Sequence, residues 1–496
     1  MRLIKLGQRL SWTALTLFVG LIQILSSNSF AQENSVPLSQ LNPSQSSVNL
    51  PSTSSGRTTQ VGGFAKTQAA YYPSPISGGE KLNQSINGEV NFLLDTENTF
   101  SHSKLDVTVG KYFDWEYSYF SVQQMFTAMT FNQGQGQISL GRRLEFWSQV
   151  DKDWQLGLWE PLFKIDDPLL PVDQGLTGIF YQQTEGHFDW LLFGSPIFIP
   201  TMSPPIREEN GSLVGSSRWY QQPASTGNIL QQPTQFVYSL SVPELGRLVN
   251  NPGSGIRLRW ADSAKAGVWV SANYGYKPIN TLQVKYDANL VLGGNTQVQV
   301  VPVVAYAKTI GGDLGFNYDS GGFSVSYLEE NPVSNFPTND SSTDWWQQQP
   351  GALKIYAAHL NSTIKTKAMT EKIDFSMDYL RVLEELTVDK DSSGVYHNSI
   401  LPYQTMFTNA FSVKTKIISS LKGKRLVSKI KALRDFDQKG NVYGTEFDLD
   451  WTRRWTFNAG VDILSPDDVT ANNKDPRFIN QFRTNDRIYG GFNYVF

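Results

Sequence analysis

Apolar and polar residues alternate one by one along many segments of this chain. Clear cases are 281–290, 371–379, 411–421 and 445–455. A period of two residues is that of a β-strand, whose successive side chains point to opposite faces of a sheet. Each segment therefore predicts a strand with one apolar face and one polar face.

Two folds place a strand between two such environments. In a soluble sandwich the apolar face packs on a protein core, whereas in an outer-membrane barrel it faces lipid and the polar face lines the lumen. The alternating segments run for roughly nine to twelve residues, the length of a tilted membrane crossing. Strands of soluble proteins usually have about five or six residues. We therefore predict an all-β, antiparallel transmembrane β-barrel over 87–496.

The pattern alone leaves the number of strands open. About 21 candidate strands can be placed, but a single-chain bacterial barrel has an even number, so we expect 18–20. The doubtful zone is 200–330. Within it, 200–233 is rich in proline and glycine and fits a long outer loop, or one folded into the lumen, better than a periplasmic turn.

The connections alternate in length, as they do in barrels with short periplasmic turns and long outer loops. Short turn signals lie at 318–323 and 420–426, and long polar stretches lie at 331–351, 388–404 and 465–478. When the strands are counted back from a periplasmic C-terminus, the three long stretches fall on the outer side.

The N-terminus has the pattern of a secretory signal peptide. A basic leader precedes the apolar run 13–25, and small residues end at Ala31, so we predict cleavage after 31. The run is shorter than the about 20 residues of a spanning helix, although a retained anchor is the alternative. Residues 32–86 are predicted to be a flexible Ser/Gln/Pro-rich segment.

Composition narrows the class of protein further. No cysteine is present, so an exported chain is stabilised without disulfides. After 31 no apolar run approaches a membrane helix in length. Removing the signal changes the formal net charge from −3 to −6, which gives no reason to expect a nucleic-acid partner.

The chain ends in "GFNYVF", an alternating strand that continues to the last residue. Gly491, Tyr494 and Phe496 resemble the C-terminal β-signal of outer-membrane barrel proteins of Gram-negative bacteria. The resemblance implies location in the outer membrane, contact with its lipid, and the barrel-assembly machinery as a partner. Size and aromatic content are similar to those of porins and exopolysaccharide-exporting barrels, and no motif indicates a narrower family.

Charged residues on the polar parity are the candidates for lining a lumen. They are Arg143, Glu145, Arg257, Arg259, Lys372, Asp374, Asp378, Lys414, Lys416, Arg425, Lys429, Lys431, Glu446, Asp448 and Asp450. Opposed charges in a pore set ion preference and orient polar solutes. Pairing that only stiffens the wall is the alternative.

Other chemistry in the chain is weaker. Trp451, Arg453 and Trp455 fit a lipid-interface girdle. Trp147 and Trp269 fit either packing or sugar stacking. No zinc-ligand spacing occurs, and the aspartates of 465–478 fit a solvated loop better than a calcium site. We predict neither a metal nor a cofactor.

Three functions remain, of which the first is favoured. The protein is a non-catalytic channel for hydrophilic solutes or saccharide chains, because barrels of 16 to 18 strands leave an aqueous interior. Alternatively it is a barrel plugged by 200–233 that binds, adheres or assembles through its outer loops. The third alternative is a barrel hydrolase using His187 and Asp189. An exporter would need separate periplasmic partners.

Overall fold

The computed structural model describes 48–50, 58–75, 82–132, 135–165, 167–220, 222–223, 225–229, 232–262, 266–289, 295–333, 346–347, 350–366, 370–384, 405–467 and 477–496. Within these residues, 18 antiparallel strands form a closed barrel. The last strand pairs with the first, with Val495 opposite Phe64 and Ile488 opposite Tyr71. The predicted fold class and the expected strand number are confirmed.

The barrel strands are numbered here in chain order. They are β1 Thr58–Tyr71, β2 Gln84–Glu97, β3 Ser101–Tyr112, β4 Tyr117–Phe131, β5 Gly136–Arg143, β6 Leu176–Glu185, β7 Phe188–Ser195, β8 Gly253–Ala261, β9 Gly267–Pro278, β10 Tyr306–Tyr318, β11 Gly321–Val333, β12 Leu353–Lys365, β13 Thr370–Glu384, β14 Asn409–Leu421, β15 Lys424–Asp435, β16 Gly440–Asp450, β17 Trp455–Pro466 and β18 Arg487–Val495. Each pairs with its sequence neighbours.

Connections at the two ends of the barrel differ in length. At the end that carries the C-terminus, every connection has between two and five residues. At the opposite end lie long segments, among them 144–175, 196–252 and 279–305. Because short turns are periplasmic and long loops external in such barrels, the C-terminal end is taken as periplasmic.

The outer segments contain short elements of their own. The helices are α1 Gln149–Trp154, α2 Leu245–Val249 and α3 Phe478–Gln481. Strands Thr226–Ile229, Gln232–Leu240, Gln283–Asn289, Thr296–Val303 and Trp346–Gln347 form one outer sheet. Two hairpins pair Ile206–Glu209 with Ser212–Gly215 and Leu162–Phe163 with Val172–Asp173. Val48–Leu50 pairs antiparallel with the start of β1, with Leu50 opposite Thr59. No helix among the described residues is long and apolar enough to span a membrane.

The two faces of the wall differ as the alternation predicts. Outward side chains are apolar and exposed, for example Phe92 at 53%, Leu140 at 64%, Leu258 at 53% and Ile488 at 54%. Inward positions of the same strands carry polar groups such as Asn91, Arg257 and Arg487, all buried. An exposed apolar belt around a closed barrel is stable in lipid and not in water.

Two of the sequence expectations are wrong. The barrel begins at Thr58, so much of 32–86 is not a flexible segment; the small residues of "TTQVGGFAKTQAAY" hide the alternation. Segment 281–290 does contain a strand, 283–289, but it belongs to the outer sheet. That misassignment contributed to the odd strand count. The predicted signal peptide lies outside the described residues.

Candidate functional site

Residues 144–175, called the insert here, leave the end of β5 and cross the inside of the barrel. Near their start, Gln149 N–H donates to Asp313 Oδ1 of β10 at 3.1 Å. Further on, Lys414 Nζ of β14 donates to the backbone carbonyl oxygen of Asp153 at 3.3 Å. These partners lie on strands far from β5 around the ring, so the insert spans the lumen.

The insert is also tied to the strands where the barrel closes. Arg487 of β18, which is 4% exposed, contacts Asp167 of the insert at 2.5 Å and Asp462 of β17 at 2.6 Å. On the return to β6, Ser121 of β4 donates to Gln174 at 3.1 Å. Polar contacts therefore hold the insert on opposite sides of the wall.

An aromatic pair holds the middle of the insert against the wall. Trp147 and Trp159 stack with ring centroids 4.3 Å apart, and Trp159 Nε1 donates to Asn273 of β9 at 3.2 Å. The rings lie over Gly255 and Gly275; a Cβ on Gly275 would lie 2.6 Å from the Trp159 ring. Two paired inward glycines thus form a flat place that fits the indole.

The insert and the outer half of the inner wall share one apolar core. From the insert come Trp147, Val150, Leu158, Trp159 and Leu169. From the wall come Phe180, Leu191, Leu328, Leu353, Ile355 and Leu380, each 0% exposed. Because these wall positions point inward, the outer half of the lumen is lined by a packed core rather than by solvated polar groups.

Buried carboxyl groups set the fold of the insert after α1. Asp151 accepts N–H bonds from Leu158 at 3.0 Å and Trp159 at 2.8 Å, which fixes the turn that presents Trp159 to the wall. Glu160 accepts the N–H of Glu145 at 2.6 Å. Burial raises the pKa of Asp151 above its ordinary value and that of Glu160 well above it. Both groups are structural.

His359 of β12 lies where α1 meets the wall. Its Nδ1 is 2.5 Å from Asp378 Oδ1 of β13 and 3.3 Å from Asp153 Oδ2 of α1. Lys414 Nζ is 3.0 Å from the other Asp378 oxygen. Burial raises the pKa of Asp153, and the neighbouring His359 acts against that rise. We call these four residues the His359 junction.

Asp153, His359 and Asp378 are ligand types that hold metals, and their ligand atoms lie within 4.8 Å of one another. The geometry does not fit a metal, however. Two ligands of a tetrahedral zinc with bonds of about 2.0 Å lie about 3.3 Å apart, whereas His359 and Asp378 are at hydrogen-bond distance, 2.5 Å. The Lys414 ammonium already supplies a cation beside Asp378. The junction is an ion-pair network.

The residues predicted to line the lumen all lie on inward positions of strands, except Glu145, which lies in the insert. Those of β13 to β16 form a band of opposite charges in the periplasmic half. Lys429 contacts Glu446 at 2.8 Å and Asp448 at 3.0 Å. Lys372 also contacts Asp374 at 2.9 Å, and Arg425 contacts Asp450 at 3.8 Å. Lys416 faces Asp374 across the strand pair, and Lys431 faces Lys414.

A second group of predicted residues lies on β5 and β8. Arg143 contacts Glu145 at 2.5 Å, and Arg257 contacts Asp189 of β7 at 2.6 Å. The Arg259 guanidinium lies 5.2 Å from the Trp269 ring centroid. Trp269 and Trp147 are 5% and 2% exposed, so both pack and neither offers a free stacking face.

The base–orienter pair required by the hydrolase hypothesis is not formed. His187 lies in the β6–β7 turn, and its Nδ1 contacts the Ala261 carbonyl at 2.9 Å. The Asp189 carboxylate is instead bonded to Gln182, Thr184 and Arg257. This site therefore gives no support to catalysis by His187.

Residues 196–252, called the cap here, include 200–233 and lie across the outer mouth. Arg218, 2% exposed, donates to Ser74 and Thr484 carbonyls at 2.6 Å each. Ser74 follows β1 and Thr484 precedes β18, nearly opposite β7 and β8 from which the cap departs. Trp219 packs on Phe478 and Phe482 of the α3 region.

The C-terminal strand and the predicted girdle meet at the periplasmic rim. Phe496 N–H donates to the Gly63 carbonyl at 3.1 Å, and its ring lies edge-on to Phe92 at 6.0 Å. Gly491 faces inward, where a Cβ would lie 2.2 Å from the Thr67 carbonyl. Tyr494 packs on Trp455 at 4.8 Å.

The girdle residues are all in or beside the β16–β17 turn. Trp451 and Trp455 are 55% and 38% exposed, and Arg453 is exposed. The arginine that bonds the Tyr494 hydroxyl, at 3.1 Å, is Arg454. These positions suit an interface with lipid headgroups.

The sequence reasoning missed the insert, His359 and Asp153. His359 lies on a polar parity with Asn361 on β12, which was a usable signal. Its partner Asp153 is far away in sequence and could not be inferred from local pattern.

No family model matches the chain, and no curated protein matches it. Among solved structures, the chain is similar to Wzi of Escherichia coli, described as a carbohydrate-binding β-barrel involved in group 1 capsule assembly, at 8% identity over 87% of this chain and 84% of that chain with a TM-score of 0.39. It is also similar to OmpF of Salmonella typhi at 9% identity, covering 89% and 98%, TM-score 0.37. It is similar to OccK9 of Pseudomonas aeruginosa at 8% identity over 89% of this chain and 97% of that chain, with a TM-score of 0.43.

Such low similarity carries no argument about activity, and the fold rests on the barrel itself. A closed ring of 18 strands, an outward apolar belt, short turns at one end and long segments at the other are together the features of outer-membrane barrels. The chain is an 18-stranded antiparallel β-barrel of the outer-membrane type.

Proposed function

We propose that the protein is a narrow channel for hydrophilic solutes, constricted by the insert and lined by charges below it. The observation that carries the proposal is the change of the inner wall with depth. Its outer half carries the apolar core under the insert together with buried, paired charges such as Arg487 with Asp462. Its periplasmic half carries the partly exposed ion-paired band of β13 to β16. Opposed charges in a water-filled vestibule would orient polar solutes as they pass.

The first experiment is single-channel recording of the purified protein in planar bilayers. We expect wild type to give small steps and Trp159→Ala to give larger ones, because that change removes the ring that holds the insert to β8 and β9. Trp451→Ala is the matched control, since this tryptophan is exposed at the rim. Silence from folded wild type and from Trp159→Ala would overturn the channel.

The charged lining is tested separately by ion selectivity. Lys416 faces inward on β14, and replacing it with glutamate should shift the reversal potential in a salt gradient toward cation preference. Lys308→Glu is the control, because Lys308 lies on an outward position of β10. Equal reversal potentials for Lys416→Glu and wild type would contradict a charge-lined path.

The plugged barrel is the second candidate, and the apolar core shared by insert and wall favours it. In that case wild type shows no conductance, and Trp159→Ala opens a pore where none existed. Binding through the outer segments would then be the function, with saccharide chains as the first ligands to test.

A further inference from the structure

At the His359 junction a histidine of the wall lies against carboxylates of both the wall and the insert. His359 Nδ1 lies between Asp378 of the wall, at 2.5 Å, and Asp153 of the insert, at 3.3 Å. Its Nε2 lies 3.0 Å from the Asn361 amide nitrogen. Nδ1 carries the hydrogen that faces the two carboxylates. Nε2 accepts from the Asn361 amide in the neutral ring, and when Nε2 is protonated the Asn361 amide turns its oxygen toward it and accepts instead.

The charge balance of the junction depends on the proton of His359. With a protonated ring, two carboxylates face two cations, His359 and Lys414. With a neutral ring, the Asp153 carboxylate loses the cation that lies against it, at 3.3 Å. We propose that protonation of His359 controls how tightly the insert is held to the wall, so that the constriction loosens as pH rises.

The groups around His359 support this assignment. On α1, Gln149 holds both Asp153 oxygens at 2.8 and 2.9 Å, so the carboxylate is aimed at the ring. On β11 the paired residue is Ser324, which is uncharged. On β14 and β15, Lys414 and Lys431 are directly paired. Both ammonium groups counter Asp378, and Lys414 also reaches the insert at the Asp153 carbonyl oxygen, 3.3 Å away. His359 is the cation that lies against the Asp153 carboxylate, at 3.3 Å, so its proton changes the charge at that contact while Lys414 keeps a fixed one.

Linkage gives the size of the effect. If docking of the insert tightens proton binding to His359 tenfold, full deprotonation raises the undocked population about tenfold. The change falls in the range where histidine titrates, about pH 5 to 8. At much lower pH the carboxylates themselves become protonated, and the junction weakens for a second reason.

The test reads the position of the insert directly and needs no conductance. The chain has no cysteine, so Lys152→Cys on α1, where the native side chain is exposed, accepts a single nitroxide label. Electron paramagnetic resonance of the folded protein in lipid vesicles then measures label mobility from about pH 5 to about pH 8. The mobile fraction should rise with pH.

Two substitutions and one control make the result specific. His359→Arg keeps a cation and should hold the label immobile at every pH, and His359→Asn should leave it mobile at every pH. His102→Asn removes a similar pair, His102 with Asp95 at 2.9 Å, on wall strands outside the insert contact, and should keep the wild-type profile. A pH-independent wild-type label, or an unchanged profile in His359→Asn, overturns the proposal.

The readout also separates this proposal from the channel. A pH-dependent label in a protein without conductance supports the junction and rejects the channel. Conductance together with label mobility that does not change with pH supports the channel and rejects the proposed role of the His359 junction.

Discussion

Replacement of Arg218 by methionine should release the cap from the barrel mouth. Arg218 is 2% exposed, and its guanidinium lies 4.6 Å from the Tyr72 ring centroid. It donates to the Leu82 carbonyl at 3.3 Å, to Asn83 Oδ1 at 3.0 Å and to Asn485 Oδ1 at 3.2 Å. The Ser74 and Thr484 carbonyls complete the set, so one side chain joins the cap to the loops beside both closing strands.

The expected cost follows from these contacts. A hydrogen bond from a charged donor contributes about 1.5–3 kcal/mol to stability. The sum over the five bonds is only an upper limit, because bonds made by one guanidinium are not additive. Methionine preserves much of the stem packing and leaves no stranded charge, and water reaches the freed carbonyls from the outer side. We therefore expect a loss of about 3 kcal/mol in cap docking, roughly a 150-fold rise in the undocked fraction.

Limited proteolysis of the folded protein in vesicles measures that fraction, because cleavage in the cap needs an undocked segment. The matched control is Arg207→Met in the same segment. Arg207 is paired with Glu209 at 2.6 Å, but both side chains are about half exposed, and surface pairs contribute about 0–1 kcal/mol.

Cleavage of the cap should be much faster in Arg218→Met than in Arg207→Met, with the barrel still folded by heat-modifiable migration. Equal cleavage rates in the two variants would refute the reasoning that the buried arginine holds the cap.

Deleting Phe496 should lower the fraction of protein that folds into the outer membrane, because the last ladder bond and its ring contact are lost; an unchanged heat-modifiable band would contradict this. Asp167→Asn leaves Arg487 one carboxylate short and should lower stability by about 1–3 kcal/mol, seen as an earlier denaturant midpoint, whereas an unchanged midpoint argues against the contact. Gly275→Leu should displace Trp159 and enlarge the conductance steps as Trp159→Ala does. Steps of wild-type size would show that Gly255 and Gly275 are not needed to seat the Trp159 ring.

The wall of the barrel was predictable because its signal is local. Segments 371–379 and 411–421 alternate and lie within β13 and β14. Segment 445–455 alternates through the end of β16 and continues across the turn to the first residue of β17. Each inward charged residue on them has an apolar neighbour in sequence that faces lipid. Knowing which face of the strand one side chain occupies therefore gives the face of the next. That rule needs no knowledge of which strands pair.

The errors have physical reasons of the same kind. Strand β1 was missed because its outward positions include Gly63, Ala65 and Ala69, whose small side chains give little contrast with polar neighbours. Segment 281–290 alternates like a wall strand because the outer sheet over the barrel mouth also has one face covered by protein and one exposed face. Alternation reports a difference between two faces and does not say whether lipid or protein covers one of them.

The insert could not be found from local pattern, since its partners are distant. Gln149 contacts Asp313, Asp153 contacts His359, and Asp167 contacts Arg487. Each contact joins residues more than a hundred positions apart, so the register of the whole barrel must be known before any of them is visible.

The apolar core also limits how the constriction can open. The insert covers fully buried wall residues, and burial of each such side chain contributes about 1.5–3 kcal/mol. Ejecting the insert from the lumen would expose all of them together, at a cost comparable to the whole stability of a typical domain, about 5–15 kcal/mol. Loss of one junction, such as that at His359, costs far less. Opening must therefore be a local displacement of α1 against β12 to β14 while Trp159 stays packed over Gly255 and Gly275. Removing Trp159 should abolish the gradual change of label mobility with pH that His359 controls.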